Sequence, residues 1–273
     1  ESGLVRHYQR FYMNLDRHRF DLWLLSLVPD SVDILWDSLA TGIEPIPDGY
    51  RIRYRHRGAE RILEARRIVG ADGAHSLVRR FLYPGKRIRS YMAIQQWFPE
   101  EHRTPFYACL FDPRITDCYS WTISKDGCFI FGGAYPKHDA RARFDHQKAL
   151  LREAGYRFGE PIRTEGCLVL RPSRFRDIVT GRGDAFLIGE AGGFISPSSL
   201  EGISSALETA RLLALALNSG NPDPARRYRR LTRPLRIRLY MKALKCPFLY
   251  HPRLRRLVMR SGIRSLGDGS GLL

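Results

Sequence analysis

One stretch constrains this chain more than any other: Gly183-Asp-Ala-Phe-Leu-Ile-Gly-Glu-Ala-Gly-Gly-Phe-Ile-Ser-Pro-Ser-Ser-Leu-Glu-Gly-Ile203. It predicts a buried strand over Ala185–Ile188, a glycine-rich turn holding one carboxylate (Glu190), and a helix start behind Pro197. Glycines let a backbone approach a ligand closely, and a helix N-terminus offers free N–H groups to an electron-rich one. Ser198-x-x-Glu201 matches a capping box and places the helix start there. Taken alone, the stretch is better read as a tight strand-to-helix connection with no ligand.

A second segment repeats the design. Val69-Gly-Ala-Asp-Gly-Ala-His-Ser-Leu-Val-Arg-Arg80 reads as a short apolar strand, an Asp-Gly turn (Asp72, Gly73), then Ser76 and Arg79 entering a helix. Asp72 is suited to accept from a ribose hydroxyl or a phosphate-bound water, and Arg79 to pair with a phosphate. Upstream, Asn14-Leu-Asp-Arg-His-Arg-Phe-Asp21 leads into a helix with Phe20, Trp23, Leu24, Leu27 and Val28 on one face.

Together and in this order, these segments resemble the flavoprotein oxidoreductases of the aromatic-hydroxylase fold, and among them the geranylgeranyl reductase family. The resemblance covers most of the chain to about Gly220, and its specific part is the two glycine-rich motifs. It implies a mixed α/β and α+β fold: a Rossmann-like FAD/NAD(P)-binding domain, an inserted antiparallel β-sheet substrate domain and a C-terminal helical tail. The expected division is a partial FAD-binding domain over 1–80, a β-rich substrate domain over 81–180, a return to the FAD-binding domain over 181–220, and a basic helical region over 221–273. The resemblance also implies roles for single residues. Arg17 would lie near the cofactor, and Asp72 and Gly73 near the FAD pyrophosphate, supported by Ser76 and Arg79. Gly189, Glu190, Ala191, Gly192, Gly193, Pro197 and Gly202 would face the ribityl chain and the isoalloxazine. The family has Asp where this chain has Glu190, whose extra methylene moves the acceptor outward.

No strand in the chain is followed by G-x-G-x-x-G, the turn that holds a dinucleotide pyrophosphate. The chain starts at Glu1, and the expectation is a piece of a longer protein whose first βαβ unit lies upstream.

The middle, from about Phe81 to Thr180, predicts mostly β structure. Asp126-Gly127, like Asp48-Gly49 earlier, fits a hairpin turn between alternating strands. Tyr119, Trp121 and Ile123 share one strand face. They resemble the family strand that lines a lipid pocket beside the flavin, although Ile123-Ser124 replaces the usual Phe-Pro; a plain aromatic cluster in a core fits the same residues.

The five cysteines (109, 118, 128, 167, 246) are odd in number and scattered, which fits neither a zinc site nor a disulfide framework. They predict mostly buried free thiols, no metal and a cytoplasmic protein. There is no H-E-x-x-H and no G-x-S-x-G. Hydrophobic residues make up 44% of the chain, enough for a core, and no apolar run approaches a membrane span.

The formal net charge is +17, and from Asn221 to Leu273 fourteen Arg or Lys face two Asp. Pro234, Pro247 and Pro252 are expected to divide this tail into short helices. Interleaved apolar residues suit an anionic membrane surface and hence a membrane-associated protein. A solvated helical cap fits the same charge, and nucleic acid ranks third because no binding motif accompanies it.

The activity implied is reduction of an isoprenoid or lipid carbon–carbon double bond by hydride from reduced FAD, with electrons from NAD(P)H or a reduced redox protein. Tyr119 and His75 are the side chains that could protonate the second carbon, and neither stands out. A flavin-dependent monooxygenase acting on an aromatic or apolar substrate shares the same motifs, and a non-catalytic basic binding module is the third alternative.

Overall fold

The computed structural model describes residues 3–9, 13, 15–99, 107–263 and 265–266, so Glu1 and Asn14 lie outside the described residues. The chain divides into two compact units, Arg66–Arg255 and Ser2–Ala65 with Arg256–Leu273.

In the smaller unit, helix α1 (Arg17–Ser26) begins where the Asp16 side chain accepts from the Arg19 N–H at 3.0 Å. The helix forms where expected, but none of its residues is buried. On the apolar face Phe20 and Leu24 are half-buried, while Trp23 and Leu27 are 55% and 61% exposed. Strands β1 (Ser38–Ile46), β2 (Gly49–His56) and β3 (Ala59–Ala65) form an antiparallel sheet in that order. Ile46 pairs with Gly49, so the first turn is Pro47-Asp48, one residue earlier than Asp48-Gly49. Proline's fixed φ suits the first turn position, and Gly49 becomes the first strand residue. Arg51–Glu64, Arg53–Glu44 and Arg55–Glu60 ion pairs lace this sheet. They are exposed, so each adds at most about 1 kcal/mol.

The larger unit contains two sheets. Strand β4 (Ile68–Gly70) leads through the Asp-Gly turn to helix α2 (Leu77–Leu82). Strands β5 (Ser90–Phe98), β6 (Tyr107–Leu110), β7 (Ser120–Lys125) and β8 (Cys128–Tyr135) come next, then helix α3 (Ala140–Glu153) and strand β9 (Arg163–Leu170). These strands make an antiparallel sheet in the order β6-β7-β8-β5-β9. The hairpin predicted at Asp126-Gly127 is present: Lys125 pairs with Cys128, and the two turn residues have φ of 51° and 69°, the left-handed pair of a type I′ turn.

Each face of this sheet carries a core. On one, Ile94, Phe98, Phe129, Phe131 and Tyr135 meet Ala140 and Phe144 of α3, with Phe131 and Phe144 stacked at 5.1 Å. Burying one such Phe contributes about 2 kcal/mol. The other face holds Tyr91, Tyr119, Ala134 and Val169, packed against Ile195 of the glycine-rich segment.

The second sheet is small. Strand β10 (Gly181–Arg182) pairs antiparallel with β11 (Ala185–Leu187), which runs parallel to β4 with Phe186 opposite Val69. Helices α4 (Ile203–Leu217), α5 (Pro224–Leu231), α6 (Arg233–Tyr250) and α7 (Pro252–Ser261) complete the chain. Phe186, Leu212, Leu213, Ala216 and Tyr228 form the core joining β11, α4 and α5. Pro234 and Pro252 start helices as expected, whereas Pro247 lies inside α6. It sits in the last turn, where a missing N–H removes a single bond and the His251 N–H still reaches the Pro247 carbonyl. The fold is thus the mixed one predicted: a parallel pair, an antiparallel sheet and a helical C-terminal region.

Candidate functional site

The two glycine-bearing motifs lie against each other in the larger unit. A Cβ on Gly70 would fall 2.7 Å from Val78 Cβ and 2.8 Å from Leu187 Cδ2, so glycine lets β4 sit between α2 and β11. Asp72 Oδ2 accepts from the Leu77 N–H at 2.6 Å, and Ser76 Oγ from the Arg79 N–H at 2.9 Å. Both side chains therefore cap α2. Gly73 has φ +64°, with open space where a side chain would be.

Arg79 is buried. It donates to the Ala191 carbonyl at 2.7 Å, to the Glu190 carbonyl at 3.4 Å and to the Ala74 carbonyl, fastening one motif to the other. Burial lowers its pKa despite the nearby Asp72 and Glu190 carboxylates.

The glycine-rich turn is packed against the chain itself. Gly189 (φ +52°) donates to Thr209 Oγ1 at 2.9 Å, and a Cβ there would meet Ala206 Cβ at 3.0 Å. A Cβ on Gly192 would stand 2.6 Å from the Val179 carbonyl oxygen, and one on Gly193 (φ +78°) 2.8 Å from that of Asp177. Ala191 is fully buried. Glu190 Oε1 accepts from the Leu170 N–H at 2.6 Å.

Burial raises the Glu190 pKa from 4.5, against the lowering effects of the Leu170 N–H and Arg79. The folded chain therefore holds a proton here more tightly than the unfolded one. The stability linked to that proton is complete below pH 4.5 and is lost as pH rises through the raised pKa. Glu190→Gln keeps an acceptor for Leu170 and removes the charge. Thermal melts should show it more stable than wild type at neutral pH, with the gap closing below about pH 4.5. An unchanged gap across that range would contradict this reading.

Beyond the turn the structure departs from one expectation. Ser198 and Glu201 do not form a capping box. Helix α4 begins at Ile203 with Gly202 as its cap residue and no side chain capping it. Leu200 is held at φ +55°, outside helical geometry, while the Ser196 N–H bonds to the Glu201 carbonyl and Ser199 Oγ to Glu201 Oε2. Near Gly202 the space is looser, a Cβ there coming no closer than 3.7 Å, to Ile195.

The carbonyls of this loop are gripped in sequence. Arg171 Nε donates to Pro197 O at 3.1 Å, Tyr250 Oη to Ser198 O at 2.6 Å, and Tyr119 Oη to Ser199 O at 2.6 Å. Arg171 also donates to Tyr91 Oη at 3.2 Å and to the Asp117 carbonyl at 3.0 Å, and lies 4.1 Å from the Tyr250 ring centroid. Burial pushes Tyr91 up to about 12 and the Cys118 thiol up to about 11, so both are neutral at physiological pH.

Trp121 shares the Tyr119 face as predicted, with ring centroids 5.6 Å apart. Its indole covers Gly132, where a Cβ would come within 2.7 Å, and its N–H donates to Gln95 Oε1 at 2.8 Å.

Among the predicted residues, the structure brings the Asp72–Arg79 motif against Gly189–Gly193 through Arg79, and Tyr119 onto the loop that follows Pro197 through the Ser199 carbonyl. Arg17 lies in the smaller unit, exposed and 3.3 Å from Asp21. Arg171, Tyr91, Tyr250 and Gln95 were not singled out from sequence, and only a lone Arg following the apolar end of β9 could have pointed to one of them. All five cysteines are free, as expected, but they are not mostly buried: Cys118 alone is, Cys128 and Cys246 are half-buried, and Cys109 and Cys167, on strands of the antiparallel sheet, are exposed. Among the described residues no group of side chains is arranged to hold a metal, and no helix is long and apolar enough to cross a membrane.

No protein-family model matches the chain. Over 262 residues it is 52% identical to protein CbrA of Escherichia coli O6:H1, spanning 96% of this chain and 72% of that protein. The chain belongs to the CbrA family. CbrA of Shigella sonnei is 51% identical over the same length, with 74% of that protein covered. Among solved structures, a geranylgeranyl bacteriochlorophyll reductase-like protein from Thermoplasma acidophilum superposes with a TM-score of 0.63 at 18% identity, over 81% of this chain and 60% of that one. HpxO of Klebsiella pneumoniae, complexed with FAD and uric acid, gives 0.57 at 18% identity, over 82% and 63%. The flavin-dependent halogenase CmlS gives 0.54 at 17%, over 75% and 40%. This chain spans less than two thirds of each of these structures. At such identities the likeness is one of fold, and the fold is that of FAD-dependent flavoproteins.

Proposed function

We propose that this protein is an FAD-dependent oxidoreductase that reduces carbon–carbon double bonds of an isoprenoid or other lipid substrate. The observation that carries this reading is the Pro197–Gly202 loop, whose carbonyls are held by Arg171, Tyr250 and Tyr119 and which ends in a helix that no side chain caps. An uncapped helix start of this kind favours an electron-rich ligand.

The residues present fit FAD in part. Of the glycines expected to face the cofactor, Gly73 and Gly202 have room beside them, and the first turn of α4 is free of a capping side chain. These, with the exposed Asp72, would hold the cofactor. Gly192 and Gly193 would support it from within, since their close approaches are to Val179 and Asp177. When bound and reduced by two electrons from NAD(P)H or a redox protein, FAD would supply hydride to one carbon of the double bond, the other carbon taking a proton from solvent.

The chain's own part is to position the substrate and exclude water. Of the aromatic pair, the half-buried Trp121, tilted 56° to the buried Tyr119 ring, is the side chain that would meet an apolar chain. Buried Tyr119 is held well above the ordinary phenol range, first by desolvation, so it stays protonated and holds the loop carbonyl.

The test is uptake of added FAD by the full-length protein, followed by anaerobic reduction and mass spectrometry of a polyprenyl substrate. A yellow protein that adds hydrogen to the substrate supports the reading. A product carrying oxygen, formed only with oxygen present, replaces it with a monooxygenase. A colourless protein that takes up no FAD removes both.

A further inference from the structure

We propose that helix α6 docks this protein on an anionic phospholipid bilayer. One side of α6 is sealed, with Leu235 and Leu239 buried against Ile178 and Phe194. On the opposite side Ile237, Met241, Leu244 and Phe248 recur at i, i+4, i+7 and i+11 and are between 45% and 56% exposed. At about 100° per residue these four fall within an arc of roughly 60° and make one apolar stripe.

The stripe runs between cations. Arg233 and Arg236 flank it on one side, Arg238 and Lys245 on the other, and α6 contains no Asp or Glu. Arg238 pairs with Glu208 at 2.7 Å. Arg236 lies 4.4 Å from the centroid of the Phe175 ring, and its Nε is buried without a hydrogen-bond partner among the described residues. Its charged neighbour is another cation, Arg229, and burial together with Arg229 lowers its pKa. Close by, Arg182 and Lys86 approach the Tyr83 ring at 4.6 Å and 5.9 Å. Among the described residues no carboxylate pairs with Arg236, Arg182 or Lys86, and this positive patch lies beside an exposed apolar ridge. A layer of phosphate headgroups over acyl chains answers both features at once, because long basic side chains reach the headgroups while the ridge enters the hydrocarbon boundary.

Other occupants answer only one of them. Nucleic acid would neutralise the cations and leave Met241 and Phe248 in water. A second copy meeting this one across a two-fold axis would press cationic helix flanks together, with no Asp or Glu on α6 to pair with them. The inference does not depend on the flavin reading.

The test is co-sedimentation of the full-length protein with phosphatidylglycerol/phosphatidylcholine vesicles, and with phosphatidylcholine alone, at low and high salt. Binding to the anionic vesicles at least tenfold tighter, lost at high salt, is expected. Met241→Ser with Phe248→Ser, and separately Arg236→Gln, should each weaken it at least fivefold while circular dichroism stays unchanged. The proposal is overturned by equal binding to both vesicle types or by binding to neither. It is equally overturned by variants that bind like wild type, by a preference for duplex DNA over vesicles, or by a dimer that the paired serine variant dissociates.

Discussion

Replacing Arg171 with Leu is expected to destabilise the larger unit by about 4 kcal/mol, the largest loss from any single side-chain truncation near the loop. The Arg171 guanidinium satisfies the Pro197 and Asp117 carbonyls and the Tyr91 hydroxyl together, and the Tyr250 ring covers it. Leu fills part of the volume and takes this donor from three polar groups, leaving the Pro197 carbonyl only the weak Cys246 thiol at 3.4 Å. Each such loss costs about 1–3 kcal/mol, and because they share one site they do not simply add. Lys keeps the charge but not the planar fork, so Arg171→Lys should recover less than half of the loss. Tyr250→Phe removes one bond, to Ser198 O, at about 1 kcal/mol. Urea unfolding checks the order, with Arg171→Leu shifting the midpoint down by more than about 1 M. Hydrogen exchange across Ser196–Gly202 should rise in the same order. If Arg171→Leu unfolds at the wild-type midpoint, the guanidinium is not what holds the loop.

Features set by neighbouring residues were legible in the sequence. Asp126-Gly127 encodes its turn through backbone preferences of two adjacent residues, and the strand pairing follows from it. The alternation that places Tyr119 and Trp121 on one face is equally local. What escaped depends on partners far along the chain. Nothing near Arg79 shows that its acceptors are the carbonyls of Glu190 and Ala191, more than a hundred residues away. Arg171 gathers its partners from β5, from the segment before β7 and from the glycine-rich loop, and is stacked by Tyr250 of α6. Ser198-x-x-Glu201 has the residue types of a capping box, yet Leu200 at φ +55° breaks the helical path between them. The composition of a cap does not specify it when packing holds the intervening residue elsewhere.

The glycines separate fold from site, and Gly192→Ala should show the heavier loss of the two kinds. A methyl there would sit 2.6 Å from the Val179 carbonyl oxygen, in a segment already tied by the Val179 N–H to the Gly192 carbonyl at 2.9 Å. Val179 backbone and the fully buried Phe194 ring, 2.9 Å away, leave little room to give, so a loss of about 3 kcal/mol or more is expected, read as a lower unfolding midpoint. Gly73→Ala meets no atom, and its cost is the left-handed φ of +64° alone, about 1 kcal/mol. Gly202→Ala has neither problem, since the residue's φ is −124° and its nearest contact is an ordinary 3.7 Å. Its stability should stay within about 0.5 kcal/mol of wild type. A methyl at the start of α4 would, however, stand in the path of a cofactor pressed against that helix. Full-length Gly202→Ala that melts like wild type but takes up FAD at least tenfold more weakly would locate the ligand at this loop. Equal FAD uptake by both proteins would move the cofactor away from α4 and return the glycine-rich turn to a purely architectural role.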